Sequence, residues 1–123
     1  MRIFKSRWFE RFARKEGIAD AVLLDAVARA EKGLIAANLG GGVIKQRIAK
    51  PGQGRSGGYR TIILFRRGAR AFFVYGFAKS RQANIDDDEQ EQFKKAAKIV
   101  LALTETQLAA RLDRGDFVEV KSK

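Results

Sequence analysis

Cysteine and histidine are both absent from this 123-residue chain. Without cysteine there is no disulfide and no thiolate nucleophile. Without histidine there is no imidazole base, and a zinc site would have to rest on carboxylates alone, which zinc seldom accepts. The missing cysteine also fits a reducing compartment. Only one proline occurs, Pro51. No apolar run approaches the roughly 20 residues of a membrane-spanning helix. The opening MRIFKSRWFERFARKEG interrupts each apolar stretch with charge, so it does not read as a secretory leader. These absences point to a cytoplasmic protein with no membrane partner.

Acid is also missing, over a long stretch. Between Glu31 and Asp86 there is none, while eleven cations occur there: Lys32, Lys45, Arg47, Lys50, Arg55, Arg60, Arg66, Arg67, Arg70, Lys79 and Arg81. The other Lys and Arg equal the 14 acids of the flanks in number, so the net charge of +11 resides in the middle of the chain. Such a field attracts a polyanion or an acidic partner.

Hydrophobic residues make up 46% of the chain, too many for a disordered segment. The length suits a single domain over 1–123 with one core. RIFK at 2–5 reads as a strand. Ser6 then precedes a helical pattern with Trp8, Phe9 and Phe12 on one face, ended by Gly17. A second helix fits 19–32 through Val22, Leu23, Ala26, Val27 and Ala30. These aromatic and aliphatic side chains are expected in the core, and the two helices as an antiparallel hairpin. NLGGG at 38–42 reads as a loop. VIKQRIAK alternates, with Val43, Lys45 and Arg47 on one face and Ile44, Gln46 and Ile48 on the other. YRTIILFR and RAFFVYGFAK, joined by a Gly-containing turn, form a hairpin whose two-sided apolarity predicts central strands. Gly76 within it signals a bulge or the close approach of another group. Asp86 with Glu89, then Thr104 with Gln107, have capping-box spacing and open two C-terminal helices. FVEV at 117–120 is a last strand or a docking tail. The fold class is therefore α+β: an N-terminal helical hairpin on a mainly antiparallel sheet of three to four strands, with C-terminal helices. Helices are expected on one face of that sheet and the other face open.

The segment KPGQGRSGGYR, 50–60, holds four glycines and three cations. It lacks the Gly-x-x-x-x-Gly-Lys-Ser/Thr spacing of a phosphate loop, and a strand follows it, not a helix. Its cations matter more. A hairpin turning near 67–69 sets position 60 opposite 76–79, so Lys50, Arg55 and Arg60 approach Lys79 and Arg81. Five mutually repelling cations at one sheet end favour a bound anion, and phosphate suits the forked donors of Arg and the point charge of Lys. Lys45 and Arg47 extend that face. Tyr59, Tyr75 and Phe77 are expected to offer stacking surfaces to bases.

GRSGGYRTIILF, with FFVYGFAKSRQANID downstream, resembles the RelE/ParE toxin superfamily of bacterial toxin–antitoxin pairs, and within it the HigB-type RelE branch. The resemblance covers roughly residues 43–100. It implies a RelE-like fold and a metal-independent endoribonuclease without cofactors, which enters the ribosomal A site and cuts mRNA by attack of a 2′-OH on the neighbouring phosphorus. By position, Arg60 would stabilise the phosphorane, Arg55 and Lys50 would hold phosphate, and Lys79 and Arg81 match the basic cluster ending the fourth strand. Some relatives use a late tyrosine or a histidine; this chain has no histidine and no tyrosine after Tyr75. Catalysis is then expected to be electrostatic, with Lys79 the candidate for proton transfer. The implied partners are the ribosome, mRNA and a cognate antitoxin of helix-turn-helix type, through which the pair would bind its own operator. Two other readings stand beside this one: a gyrase-poisoning toxin of the ParE kind, and a non-enzymatic basic RNA- or DNA-binding module.

Overall fold

The computed structural model describes residues 1–50 and 57–121. The order of elements is β1 (Arg2–Ser6), α1 (Arg7–Glu16), α2 (Asp20–Glu31), β2 (Ala37–Gly40), β3 (Val43–Ile48), β4 (Tyr59–Arg66), β5 (Arg70–Ala78), α3 (Asp87–Val100), α4 (Glu105–Asp113) and β6 (Phe117–Val120). The class is α+β, as expected.

The helix boundaries follow side-chain chemistry. Ser6 caps α1 by accepting from the Phe9 N–H, and Gly17 ends that helix at φ 71°, where a side chain would be strained. Asp86 with Glu89 and Thr104 with Gln107 form complete capping boxes on α3 and α4. Three acids in the first turn of α3 complement its dipole.

The sheet has six strands in the order β2-β3-β4-β5-β1-β6. It is larger than the three to four strands expected. It is also mixed: β1 runs parallel to β5, with Phe4 opposite Phe72, while the other neighbours are antiparallel. The segment read as a loop at 38–42 supplies most of β2, and FVEV is a strand rather than a tail. β4 and β5 occupy central positions, as their two-sided apolarity required. A one-residue bulge interrupts their pairing, since Ile62 faces Tyr75 but Ile63 faces Phe73.

Alternation along these strands feeds two cores on opposite faces. One joins Phe9 and Ala13 of α1 and Leu23, Ala26 and Val27 of α2 to Ile44, Ile63 and Phe73. The other joins Ala97, Val100, Leu101 and Leu108 of the C-terminal helices to Val43, Ile62, Leu64 and Phe72. The second face is therefore covered by α3 and α4, where an open face was expected. The N-terminal helices also differ from a self-packed hairpin. α1 rests chiefly on β5 and β1, and α2 on β3, so each meets the sheet more than its neighbour.

Lys5 of β1 ties these layers together. Its buried Nζ lies 2.7 Å from Glu10 Oε2 and 3.0 Å from Asp20 Oδ1, joining the strand to both N-terminal helices. Burial pushes this lysine down, but the two carboxylates outweigh it and hold the ammonium above its ordinary value.

Candidate nucleic-acid interface

β3 ends, β4 begins and β5 ends at one end of the sheet. Ile48 faces Tyr59, and Tyr59 faces Ala78. Of the cations expected to meet, the register carries Arg60 and the chain ends bearing Lys50, Lys79 and Arg81 there. Arg60 lies opposite Phe77 on one side and Arg47 on the other. The Lys79 N–H donates to the Gly58 carbonyl at 3.2 Å, fixing the exit of β5 beside the start of β4. The N–H groups of Arg81 and Gln82 both donate to the Ala78 carbonyl, so the chain turns sharply after β5. Lys50 follows the end of β3 and is exposed, as are Arg47, Lys79 and Arg81. Arg55 lies outside the described residues.

Gly58 makes this convergence possible. A Cβ there would stand 2.2 Å from the Ile48 carbonyl oxygen and 2.7 Å from the Lys50 nitrogen. Only glycine lets β4 start so close to the end of β3.

Arg60 differs from its neighbours in burial. It is 7% exposed, on the same sheet face as Ile62 and Leu64. Burial, and then the nearby Arg47, lower its pKa below the ordinary arginine value. The burial leaves this guanidinium poorly hydrated, surroundings in which a charged hydrogen bond is strong. Lys45, on the same face, is half-buried and donates to Asn84 Oδ1 at 3.2 Å. Asn84 in turn accepts from the Ile85 N–H just ahead of α3. The acids that follow are partly engaged: Asp86 and Glu89 are tied to the first turn of α3.

Tyr59 does not take the role foreseen for it. The ring is 1% exposed, belongs to the core under α1 and meets Phe12 edge-on at 5.7 Å. Its hydroxyl donates to Glu16 at 2.8 Å. Burial, then Glu16, pushes the phenol up to about 12. Odd-numbered positions at the start of β4 face α1, so Tyr59 looks away from Arg60. Phe77 is also buried, at 4% exposure, and Tyr75 is half-buried with its hydroxyl on Gln82 Oε1. The exposed aromatic is Trp8, expected in the core with Phe9 but 40% exposed. Helical periodicity placed it beside Phe9 and Phe12. The end of β1, which leaves α1 overhanging the sheet there, was the missing information.

Gly76 resolves the two options its sequence context allowed. The bulge falls at Val74, and Gly76 serves close approach: a Cβ there would stand 2.7 Å from the ring of Phe12. Among the described residues, no three acids gather to hold a metal ion, and no helix is long and apolar enough to cross a membrane.

A sheet clad by helices on both faces, with a cationic end built from three strands, defines a small basic protein suited to a polyanion. A family model for the RelE toxin of the RelE/RelB toxin–antitoxin system matches residues 1–120, and the chain belongs to that family. The match extends well beyond the 43–100 on which the resemblance first rested and takes in β1, both N-terminal helices and β6. No curated protein matches the chain significantly.

Proposed function

We propose that this toxin is a ribosome-dependent mRNA endonuclease, held inactive by a cognate antitoxin. The observation that carries the proposal is the placing of a buried arginine, Arg60, among exposed cations at one sheet end. Family membership supports the same reading, because RelE toxins are generally endoribonucleases.

The chemistry needs a 2′-oxygen, a phosphorus and a leaving 5′-oxygen in line. Attack forms the O2′–P bond and breaks the P–O5′ bond, leaving a 2′,3′-cyclic phosphate and a 5′-hydroxyl. Negative charge grows on the phosphoryl oxygens at the transition state. Arg60, poorly hydrated and forked, is suited to stabilise it. Lys79 delivers a proton to the departing 5′-oxygen while the 2′ proton passes to water. Arg81 supports the charge of that end, and Lys45, Arg47, Lys50 and Arg55 hold neighbouring phosphates. Much of the rate gain comes from alignment of the 2′-OH, which the ribosome-bound strand supplies jointly with these cations.

The test is a reconstituted translation reaction with purified toxin. Transcripts are expected to be cut only while translated. Arg60→Lys and Lys79→Ala are each expected to slow cutting by about 10²–10³-fold, the usual cost of losing one transition-state donor. Intact mRNA on actively translating ribosomes would overturn the proposal. Gyrase-linked DNA breaks in place of RNA cuts would assign the toxin to the ParE kind.

A further inference from the structure

Next to the cationic end, and sharing Arg81 with it, lies a cavity of about 200 Å³. It exists because β5 outruns β1. The parallel pairing stops at Lys5 opposite Phe73, so residues 74–78 have helix α1, not a strand, along that edge. Trp8 and Phe12 close over Gly76 from one side, Tyr75 forms the floor, and Arg81 and Gln82 stand at the rim. The rings are already in series: Trp8 lies 5.3 Å from Phe12, nearly parallel, and 4.7 Å from Tyr75. Tyr75 continues to Phe93 at 5.9 Å.

A lone exposed tryptophan needs no explanation. Here, however, the exposed Trp8 shares one cavity with three more rings, a cation, an amide and the carboxylate of Glu16, which accepts from the Tyr59 hydroxyl. The volume is below the roughly 300–1,000 Å³ of sites for drug-sized ligands, and suits one flat heterocycle. The occupant is indicated by what stands beside it. Phe77 also lines this cavity, and it lies directly opposite Arg60 in the β4–β5 ladder, about 5 Å away between Cα atoms. A phosphate at Arg60 therefore brings its own nucleoside to the mouth of the cavity. Aromatic walls bind any base through its π-face, and the Arg81 guanidinium adds to stacking.

We propose that this crevice seats one unpaired nucleobase of the RNA strand whose phosphate is held at Arg60 and Lys79. The inference rests on the nucleic-acid reading given above. Trp8 is the wall that makes the seat, Tyr75 supports it, and Gln82 is a positioning residue through its bond with the Tyr75 hydroxyl.

Because Trp8 is the only tryptophan, its emission reports on the seat directly. The full chain is titrated with two single strands of equal phosphate number, one oligoribonucleotide and one abasic, and binding is followed by anisotropy and by tryptophan emission. The base-bearing strand is expected to quench Trp8 in step with binding, and to bind roughly 5- to 150-fold more tightly than the abasic one. A single base moved along an otherwise abasic strand should quench at one position only. Trp8→Ala should abolish the preference for the base-bearing strand and leave abasic binding unchanged, whereas Lys79→Ala should weaken both strands alike. If both strands bind, both depend on Lys79 and the emission never changes, the base seat is wrong while the nucleic-acid reading survives. If neither strand binds at low salt, both fall. The emission readout on the unaltered chain requires no variant, so a Trp8→Ala chain that misfolds leaves the decision intact.

Discussion

Two glycines set the geometry of the cationic end, and their neighbours differ in how far they can yield. At Gly58 the obstacle to a side chain is backbone, the Ile48 carbonyl and the Lys50 nitrogen. At Gly76 it is the edge of the Phe12 ring, which can tilt. Gly58→Ala is therefore expected to destabilise more than Gly76→Ala, with overpacking costs of about 1–3 kcal/mol as the scale. Denaturant melts of both variants check the order, and equal midpoints would contradict it. Tyr59 gives a pH prediction. Its folded pKa, about 12, lies above the ordinary value of 10.0. A raised pKa means that the stabilisation is complete below the unfolded value and is lost as pH climbs from 10 toward 12. Unfolding free energy should fall across that window, and Tyr59→Phe should flatten the fall. The identity of Tyr59 was plain in the sequence but its direction was not. One step of parity at the start of β4 decides between Arg60's face and the α1 core, and a glycine-rich segment gives no pattern from which to set that parity.

At the scale of elements, β1 carries an obligation that its short apolar run conceals. Lys5 follows the apolar Ile3 and Phe4 and reaches Glu10 of α1 and Asp20 of α2, its ammonium 2.7 Å from the buried Oε2 of Glu10. Lys5→Met leaves that oxygen without its partner, although Arg14 still meets the other oxygen of Glu10 at 3.1 Å. The expected cost is about 1–3 kcal/mol, the range for leaving a buried acceptor unsatisfied. Lys5→Met with Glu10→Gln should recover part of it, and a double-mutant cycle measures how much. Helices α3 and α4 were legible to their caps because Asp86, Glu89, Thr104 and Gln107 announce helix starts chemically. The central strands were legible because they are apolar on both faces. β2 and β6 were harder to read. Each is a four-residue strand at a sheet edge, and Asn38, Gly40 and Glu119 carry no strand signature. The burial of the second sheet face was hidden for a related reason: it depends on where α3 and α4 fold back, and local periodicity does not encode that return.

At the scale of the molecule, the acid-free middle becomes a place. Arg47, Lys50, Arg60, Lys79 and Arg81, scattered over 47–81 in the chain, share one sheet end with Lys45 next along β3, and several acids of the flanks are paired elsewhere, while Glu16 stays beside this end on the Tyr59 hydroxyl. Glu105 and Glu119 meet Arg2, and Asp116 meets Arg7 and Arg111. Single-stranded RNA should therefore bind with a steep salt dependence. If about five phosphates are neutralised, the slope of log K against log salt is about −3.5. A slope near zero in the same titration would mean that the cations do not meet phosphate at all. The site as a whole was legible further than its parts, because a charge imbalance survives any error in register.

The place of β1 has one more consequence. Its inner neighbour is β5 and its outer neighbour β6, so Ile3 pairs with Val120. Along the chain, β1 is the first strand and β6 the last, so the sheet is complete only once residues 117–120 have joined residues 3–6. The long loop closure this demands makes folding slow relative to helical proteins of the same size. Until β6 has docked, the outer edge of β1 is open, and a partner has an interval in which to meet the chain before its sheet is complete.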